Sequence, residues 1–224
     1  MKEQVFELRR RLGLPKPVRV LKRTRLNMQL TSFQSLKNDS TIKLESSGEH
    51  DFAHLLEWDK NILCFVEQPL VVQLPLKGRA GEYVPDFLHV DRSLNKVVTE
   101  IKPEGWNKSP ALVERYRLAE AELHALGMDY QVVSISDLRC TSLVQNLRYL
   151  YPFFYSAIPS DFSMVTTALR ELGGGASISE LLKLTNGPSY RQLCAYTYKY
   201  SNDLTVCRFG ESTFLRLQSA QSDY

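Results

Sequence analysis

Two short apolar stretches, each carrying charge at one end, constrain this chain more than any other feature. Val97-Val98-Thr99-Glu100-Ile101-Lys102 is rich in β-branched residues and is stopped by Pro103 and Gly105, so it predicts a strand and then a break. Side chains alternate along a strand, which puts Glu100 and Lys102 on one face, their Cα atoms ~6.6 Å apart, and Ile101 on the other. Upstream, Tyr83-Val84-Pro85-Asp86-Phe87-Leu88-His89-Val90 predicts a second strand with one acid directly after a proline. The polar stretch Asp91-Arg92-Ser93-Leu94-Asn95 predicts the turn between them. Pairing the two strands brings Asp86, Glu100 and Lys102 together.

That set has a chemical logic. Carboxylates hold a hard divalent cation such as Mg²⁺, which prefers oxygen ligands and retains waters. The cation polarises a phosphodiester and helps generate hydroxide. A neighbouring lysine orients or deprotonates the attacking water, or offsets charge developing on the phosphorane. Pro-Asp followed by Glu-x-Lys in this order resembles the PD-(D/E)xK nuclease superfamily. The plainer reading of the same residues is a solvated strand face with a surface ion pair, an arrangement that contributes little.

The rest of the chain predicts an α/β domain around these strands and a smaller domain after it. Phe52, Leu55 and Leu56 recur at helical spacing behind Ser46, Ser47 and Glu49, a capped amphipathic helix. Strands are expected at 62–66 and 70–74, with a glycine-rich turn at 77–81. Ser109-Pro110 opens a helix that runs to Leu126 with Gly127 at its end, and a strand follows at 129–135. The helix between the Glu100 strand and that strand makes a β-α-β unit, so the sheet is mixed. A further helix is expected from Ser136 to about Tyr149. Residues 151–159 look like a junction. Residues 160–224 predict three helices, the second opened by the capping box Ser177-x-x-Glu180, the third spanning 188–201, and a hairpin of 204–209 with 213–217. Three helices and a hairpin outline a winged helix. Its six Lys/Arg against six Asp/Glu favour protein contact over DNA reading.

Charge is uneven. Residues 1–43 hold 11 Lys/Arg and 3 Asp/Glu, a net of +8, whereas 44–224 hold 17 and 22, a net of −5. A basic N-terminal arm carrying Arg9, Arg10, Arg11, Lys22, Arg23 and Arg25 suits contact with DNA phosphates, or stands as a solvated tail. Cys64, Cys140, Cys194 and Cys207 form no C-x-x-C pair, and His50 and His54, four apart, show no third ligand in sequence. No apolar run approaches the ~18 residues of a membrane span and no signal h-region opens the chain, so a cytoplasmic protein is expected.

A closer resemblance rests on five segments: Ser47-Gly48-Glu49-His50-Asp51-Phe52, Leu55-Leu56-Glu57-Trp58, Phe65-Val66-Glu67-Gln68-Pro69-Leu70, Tyr83-Val84-Pro85-Asp86-Phe87 and Glu100-Ile101-Lys102-Pro103. Together, over about residues 44–108, they look like the TnsA family of endonuclease subunits of heteromeric bacterial transposases. The resemblance implies a restriction-endonuclease-like nuclease domain at 44–150, a junction at 151–159 and a winged-helix-like domain at 160–224, behind the arm of 1–43. It implies Mg²⁺, with Mn²⁺ able to substitute, and cleavage of the 5′ strands of double-stranded DNA at transposon ends. A TnsB-like transposase cuts the 3′ strands, and a TnsC-like AAA+ regulator contacts the complex. Carried over by position, Glu49 is the helix-borne acid, Asp86 the central metal ligand bridging two ions, Glu100 the second strand acid and Lys102 the lysine. The Ile101 backbone carbonyl would join Glu100 on one ion and Glu49 would hold the other. Gln68 supports either the site or only the strand turn. Rival readings are a stand-alone restriction- or repair-type endonuclease, which would cut without a partner, and a non-catalytic DNA/protein adaptor, which would bind without cutting.

Overall fold

The computed structural model describes residues 7–8, 10–18, 31–76, 79–106, 109–155, 158–200 and 202–218. The chain divides into two compact units, Met1–Leu138 and Arg139–Tyr224.

The first unit is built on a four-stranded mixed sheet. Its strands are β3 (Ile62–Glu67), β6 (Phe87–Asp91), β7 (Lys96–Lys102) and β8 (Asp129–Ser134), in the spatial order β3-β6-β7-β8. β3, β6 and β7 are antiparallel, and β7 and β8 are parallel. The parallel pair is joined by α2 (Pro110–Ala125), the crossover expected from Ser109-Pro110 and Gly127. A second helix, α1 (Ser47–Trp58), lies on the opposite face. Phe52 of α1 meets the rings of Phe87 and His89, while Leu88 and Val98 pack with Tyr116, Ala119 and Leu123 of α2. The alternation of β6 therefore divides its side chains between two helical layers, as a sheet covered on both faces requires.

Several expectations need correction. The stretch 31–43, expected to be part of a basic arm, contains the hairpin β1 (Thr31–Ser35) and β2 (Ser40–Leu44). Phe33, Ile42 and Leu44 are buried, so the hairpin belongs to the core of this unit. Its signal is faint because the inward apolar residues sit among Thr, Ser, Lys and Asn. Lys37, counted above among the cations of the arm, instead donates to the Leu56 carbonyl at the end of α1 (2.7 Å), where burial pulls its pKa down to about 8. The expected strand 83–90 is two strands. β5 (Arg79–Tyr83) pairs with β4 (Val72–Leu76) in a separate hairpin, and β6 starts at Phe87, since Val84-Pro85-Asp86 interrupts the chain between them.

The second unit comprises α4 (Leu143–Tyr155), α5 (Pro159–Glu171), β9 (Gly175–Ser177), α6 (Ile178–Leu182), α7 (Tyr190–Tyr196) and β10 (Phe214–Arg216). The helix expected from Ser136 to Tyr149 is therefore two, because α3 (Ile135–Leu138) ends before α4 starts. α4 continues through Pro152, so 151–155 are helical. Val165, Leu169, Ile178, Leu181, Leu193 and Leu215 form its core. The Ser177/Glu180 capping box is present, and a second one joins Ser189 and Gln192. The third helix ends at Tyr196 in a 3₁₀ turn, Thr197–Lys199, rather than reaching 201.

The expected hairpin of 204–209 with 213–217 does not form. β10 pairs with β9 instead. Buried Asn146 explains the difference. Its Nδ2 donates to the Leu204 and Cys207 carbonyls (2.8 Å each), and its Oδ1 accepts from the Phe209 N–H (2.8 Å). One side chain thus takes up the backbone groups a ladder would use. Asn146→Ala leaves those groups without their partner and should lower stability by about 2–3 kcal/mol in a denaturant titration. No helix of the described residues is long and apolar enough to cross a membrane.

Candidate active site at the rim of the mixed sheet

The site lies where β3, β6 and β7 end. In the β6–β7 ladder the last pair is Phe87↔Thr99, and one further step in that register sets Asp86 opposite Glu100. In the β3–β6 ladder the last pair is Glu67↔Phe87, and one further step sets Gln68 opposite Asp86. Residues 68, 86 and 100 thus form a row across three strands, at the spacing where cross-strand neighbours interact. The Gln68 N–H donates to the Asp86 carbonyl (2.8 Å), which fixes the first step of that row.

Each acid is held by different partners. Asp86 Oδ2 accepts from the Ile101 N–H (2.7 Å). A strand residue presents its N–H and C=O to the same edge, so the Ile101 carbonyl also faces the Asp86 side of β7. Glu100 is buried, 6 % exposed. Its Oε2 accepts from the Tyr83 hydroxyl (2.7 Å) and its Oε1 from the Lys102 ammonium. Tyr83 in turn shares a hydrogen bond with the Tyr130 hydroxyl (2.9 Å), and the Lys102 ammonium lies 5.3 Å from the centre of the Tyr116 ring. Three tyrosines, from β5, α2 and β8, therefore back the Glu100–Lys102 pair.

Glu49 comes from the first turn of α1. Ser46 caps this helix, accepting from the Glu49 N–H (3.1 Å), and the Glu49 carboxylate accepts from the Glu45 N–H (2.9 Å). That is capping chemistry, and it also fixes where the carboxylate sits. Gly48 is what brings the helix end this close to the sheet. A Cβ there would stand 2.7 Å from Ile135 Cγ1 and 2.9 Å from Ile101 Cγ2.

Electrostatics tie the three acids together. Burial pushes the Asp86 carboxyl up to about 8, with the negative charges of Glu100 and Glu49 adding to the effect. Burial also raises Glu49, against the pull of its hydrogen bonds to Glu45 and Ser46, and Glu100 adds to the rise. Lys102 moves the other way from a typical half-buried lysine. Burial works against its charge, but Glu100 outweighs it and the pKa is raised. The ammonium therefore stays protonated at neutral pH. A protonated ammonium can orient an oxygen or offset negative charge but cannot accept a proton.

Three neighbouring carboxylates with one ammonium can relieve their buried negative charge by protonation, the direction in which Asp86 and Glu49 shift, or by taking up a divalent cation. Among the described residues, no group of three or more His, Cys, Asp and Glu side chains is gathered into a ready-made metal cage. An open rim with one or two carboxylates is how Mg²⁺ is commonly held, with waters and substrate phosphate completing its shell. The oxygen-only donor set fits that ion and disfavours a zinc-type site.

The other expected residues fall elsewhere. Arg10 and Arg11 are exposed and pair with Glu7 (2.8 and 3.0 Å). Arg9, Lys22, Arg23 and Arg25 lie outside the described residues. His50 and His54 pack against the Phe33 ring, and His54 Nδ1 is bonded to the His50 carbonyl (2.8 Å). Cys64 and Cys194 are buried, and Cys140 and Cys207 are exposed. Sequence reasoning did not single out Tyr83 and Tyr130 as site residues. Tyr83 lies three residues before Asp86, and its hydroxyl reaches Glu100 from the end of β5, the second strand of a hairpin whose first strand and glycine-rich turn the sequence signalled but whose second strand it did not. No protein-family model and no curated protein sequence matches the chain.

Proposed function

We propose that the first unit is a Mg²⁺-dependent DNA endonuclease with a restriction-endonuclease-like fold, acting as the TnsA-like subunit of a heteromeric transposase that cuts 5′ strands at transposon ends. The observation that carries this reading is the row of Asp86 and Glu100 at adjoining strand ends, with Lys102 bonded to Glu100 and Glu49 close enough to raise the Asp86 pKa. The pattern of acids and lysine is the one the TnsA resemblance implies. The order α5-β9-α6-α7-β10 supports a winged-helix-like second unit whose role is to contact partner proteins. The arm's basic residues supply the phosphate contact of this reading.

Asp86, Glu100 and Glu49 would hold the cation, with the Ile101 carbonyl on the same side. When bound, the ion polarises the scissile phosphate and lowers the pKa of its water. The protein's own contributions are positional. Tyr83 and Lys102 fix the two Glu100 oxygens and the Ile101 N–H fixes one Asp86 oxygen, so both carboxylates sit in defined positions at rigid strand ends. Lys102, held cationic, stabilises charge on the phosphorane or orients the attacking water.

The experiment is cleavage of end-labelled transposon-end DNA by the chain with its partner transposase and Mg²⁺, mapping both strands. Cutting of the 5′ strand, dependent on the partner and lost in Asp86→Ala, is the expected result. Efficient sequence-specific cutting by the chain alone would identify a stand-alone nuclease. Binding without metal-dependent cutting would identify an adaptor.

A further inference from the structure

Gln68 has two properties that its role in the strand turn leaves unexplained. Its backbone sits at φ +43°, a left-handed conformation that residues other than glycine rarely adopt. The residue is 6 % exposed, and its Oε1 is buried without a hydrogen-bond partner among the described residues. The backbone itself is satisfied, because the N–H donates to the Asp86 carbonyl (2.8 Å) and the carbonyl accepts from the Val18 N–H (3.0 Å). An unpaired buried amide oxygen is rare in folded proteins and costly to keep. Backbone strain of this kind clusters at active sites, ligand clamps and switch regions.

The register locates the residue that carries this oxygen. Gln68 is the residue opposite Asp86 at the end of β3, on the side of Asp86 away from Glu100. An amide carbonyl is a hard, neutral oxygen donor, suited to the same cation as a carboxylate. We propose that the Gln68 side-chain carbonyl is an oxygen donor in the coordination shell of the divalent cation, beside Asp86. The proposal rests on the metal-dependent reading of the site given above. A neutral ligand here adds an oxygen to the shell without adding to the buried negative charge of the three acids. It also accounts for the αL backbone: the turn at Gln68-Pro69 holds the residue at the rim, next to the row, where a continued strand would carry it away.

Direct Mn²⁺ binding to the full chain tests this, with free Mn²⁺ read by electron paramagnetic resonance and folding followed by circular dichroism and thermal unfolding without metal. The variants are Gln68→Leu, Gln68→Gly, Gln68→Glu and Asp86→Asn. Gln68→Leu keeps the bulk and removes the oxygen. Gln68→Gly removes the oxygen and relieves the backbone strain, so its folding is secure against the objection that leucine does not tolerate this φ. Both should weaken Mn²⁺ binding about tenfold or more. Gln68→Glu should bind Mn²⁺ at least as tightly as the wild type and gain more thermal stabilisation from Mn²⁺ than the wild type does. A merely structural amide predicts the opposite for that variant, an unpaired buried charge with no gain in binding. Wild-type affinity in Gln68→Gly overturns the proposal and leaves the nuclease reading standing, provided the wild type binds Mn²⁺ and Asp86→Asn does not. Failure of the wild type to bind Mn²⁺ overturns both.

Discussion

Lys102→Ala should reduce metal-dependent cutting of the 5′ strand about 10³-fold while leaving DNA binding and the fold intact. The size follows from the residue's position. Its ammonium is bonded to Glu100, lies against the Tyr116 ring, and is kept charged by the acid beside it. A preorganised cation of this kind typically contributes two to three orders of magnitude when charge develops next to it. Lys102→Arg keeps the charge but spreads it over a planar group, and should recover only part of the rate. The assay is single-turnover cleavage with the partner transposase present, with filter binding as the control. Because the lysine is protonated in the resting protein, the rate should not follow the titration of a general base with a lysine's pKa. Wild-type cleavage by Lys102→Ala would remove Lys102 from the chemistry.

Asp86→Asn should do two opposite things. In metal-free buffer at pH 8–9 it should stabilise the protein by about 1–3 kcal/mol, the usual scale for relieving a buried, poorly compensated polar group. The sign follows from the raised pKa. Folding moves the Asp86 carboxyl from the ordinary aspartate range up to about 8. The stability this group contributes is therefore complete below the unfolded value. It is lost progressively as pH rises from about 4 to about 8. Asparagine has no charge to bury, and its carbonyl still accepts from the Ile101 N–H, so the gain should vanish near pH 4. With Mg²⁺ present the order reverses. The wild type gains about 2.7 kcal/mol at a concentration one hundred times the dissociation constant, and the variant gains little. Thermal unfolding over pH 4–9, with and without Mg²⁺, reads both effects. A variant no more stable than the wild type at pH 8 would mean that Asp86 is not under electrostatic stress.

The strand carrying Glu100 and Lys102, the crossover helix and the parallel β7–β8 pair were legible because each has a strong local signature: β-branched residues, a Ser-Pro start, a glycine end. The meeting of Asp86 with Glu100 followed from hairpin logic alone. What stayed hidden depended on partners distant in sequence. The β1–β2 hairpin buries the apolar Phe33, Ile42 and Leu44 among polar neighbours, and a net charge of +8 over 1–43 masked it. The fate of 204–209 was decided by Asn146, a side chain some sixty positions away. Tyr83 reaches Glu100, and Tyr130 reaches Tyr83, through tertiary contacts for which spacing offers no clue. Glu49 was named from the TnsA resemblance, since its local pattern alone signals a helix cap, and the structure shows it making those capping contacts as well.

The central claim is that Asp86 and Glu100, with Glu49, share a divalent cation at the rim of the sheet. Anomalous scattering from crystals grown with Mn²⁺ tests it most directly. The account predicts a manganese peak within about 2.2 Å of both an Asp86 oxygen and a Glu100 oxygen, close to the distance expected for a small hard cation. Saturating Mn²⁺ with no peak beside Asp86, and the carboxylates in the same positions, would contradict it.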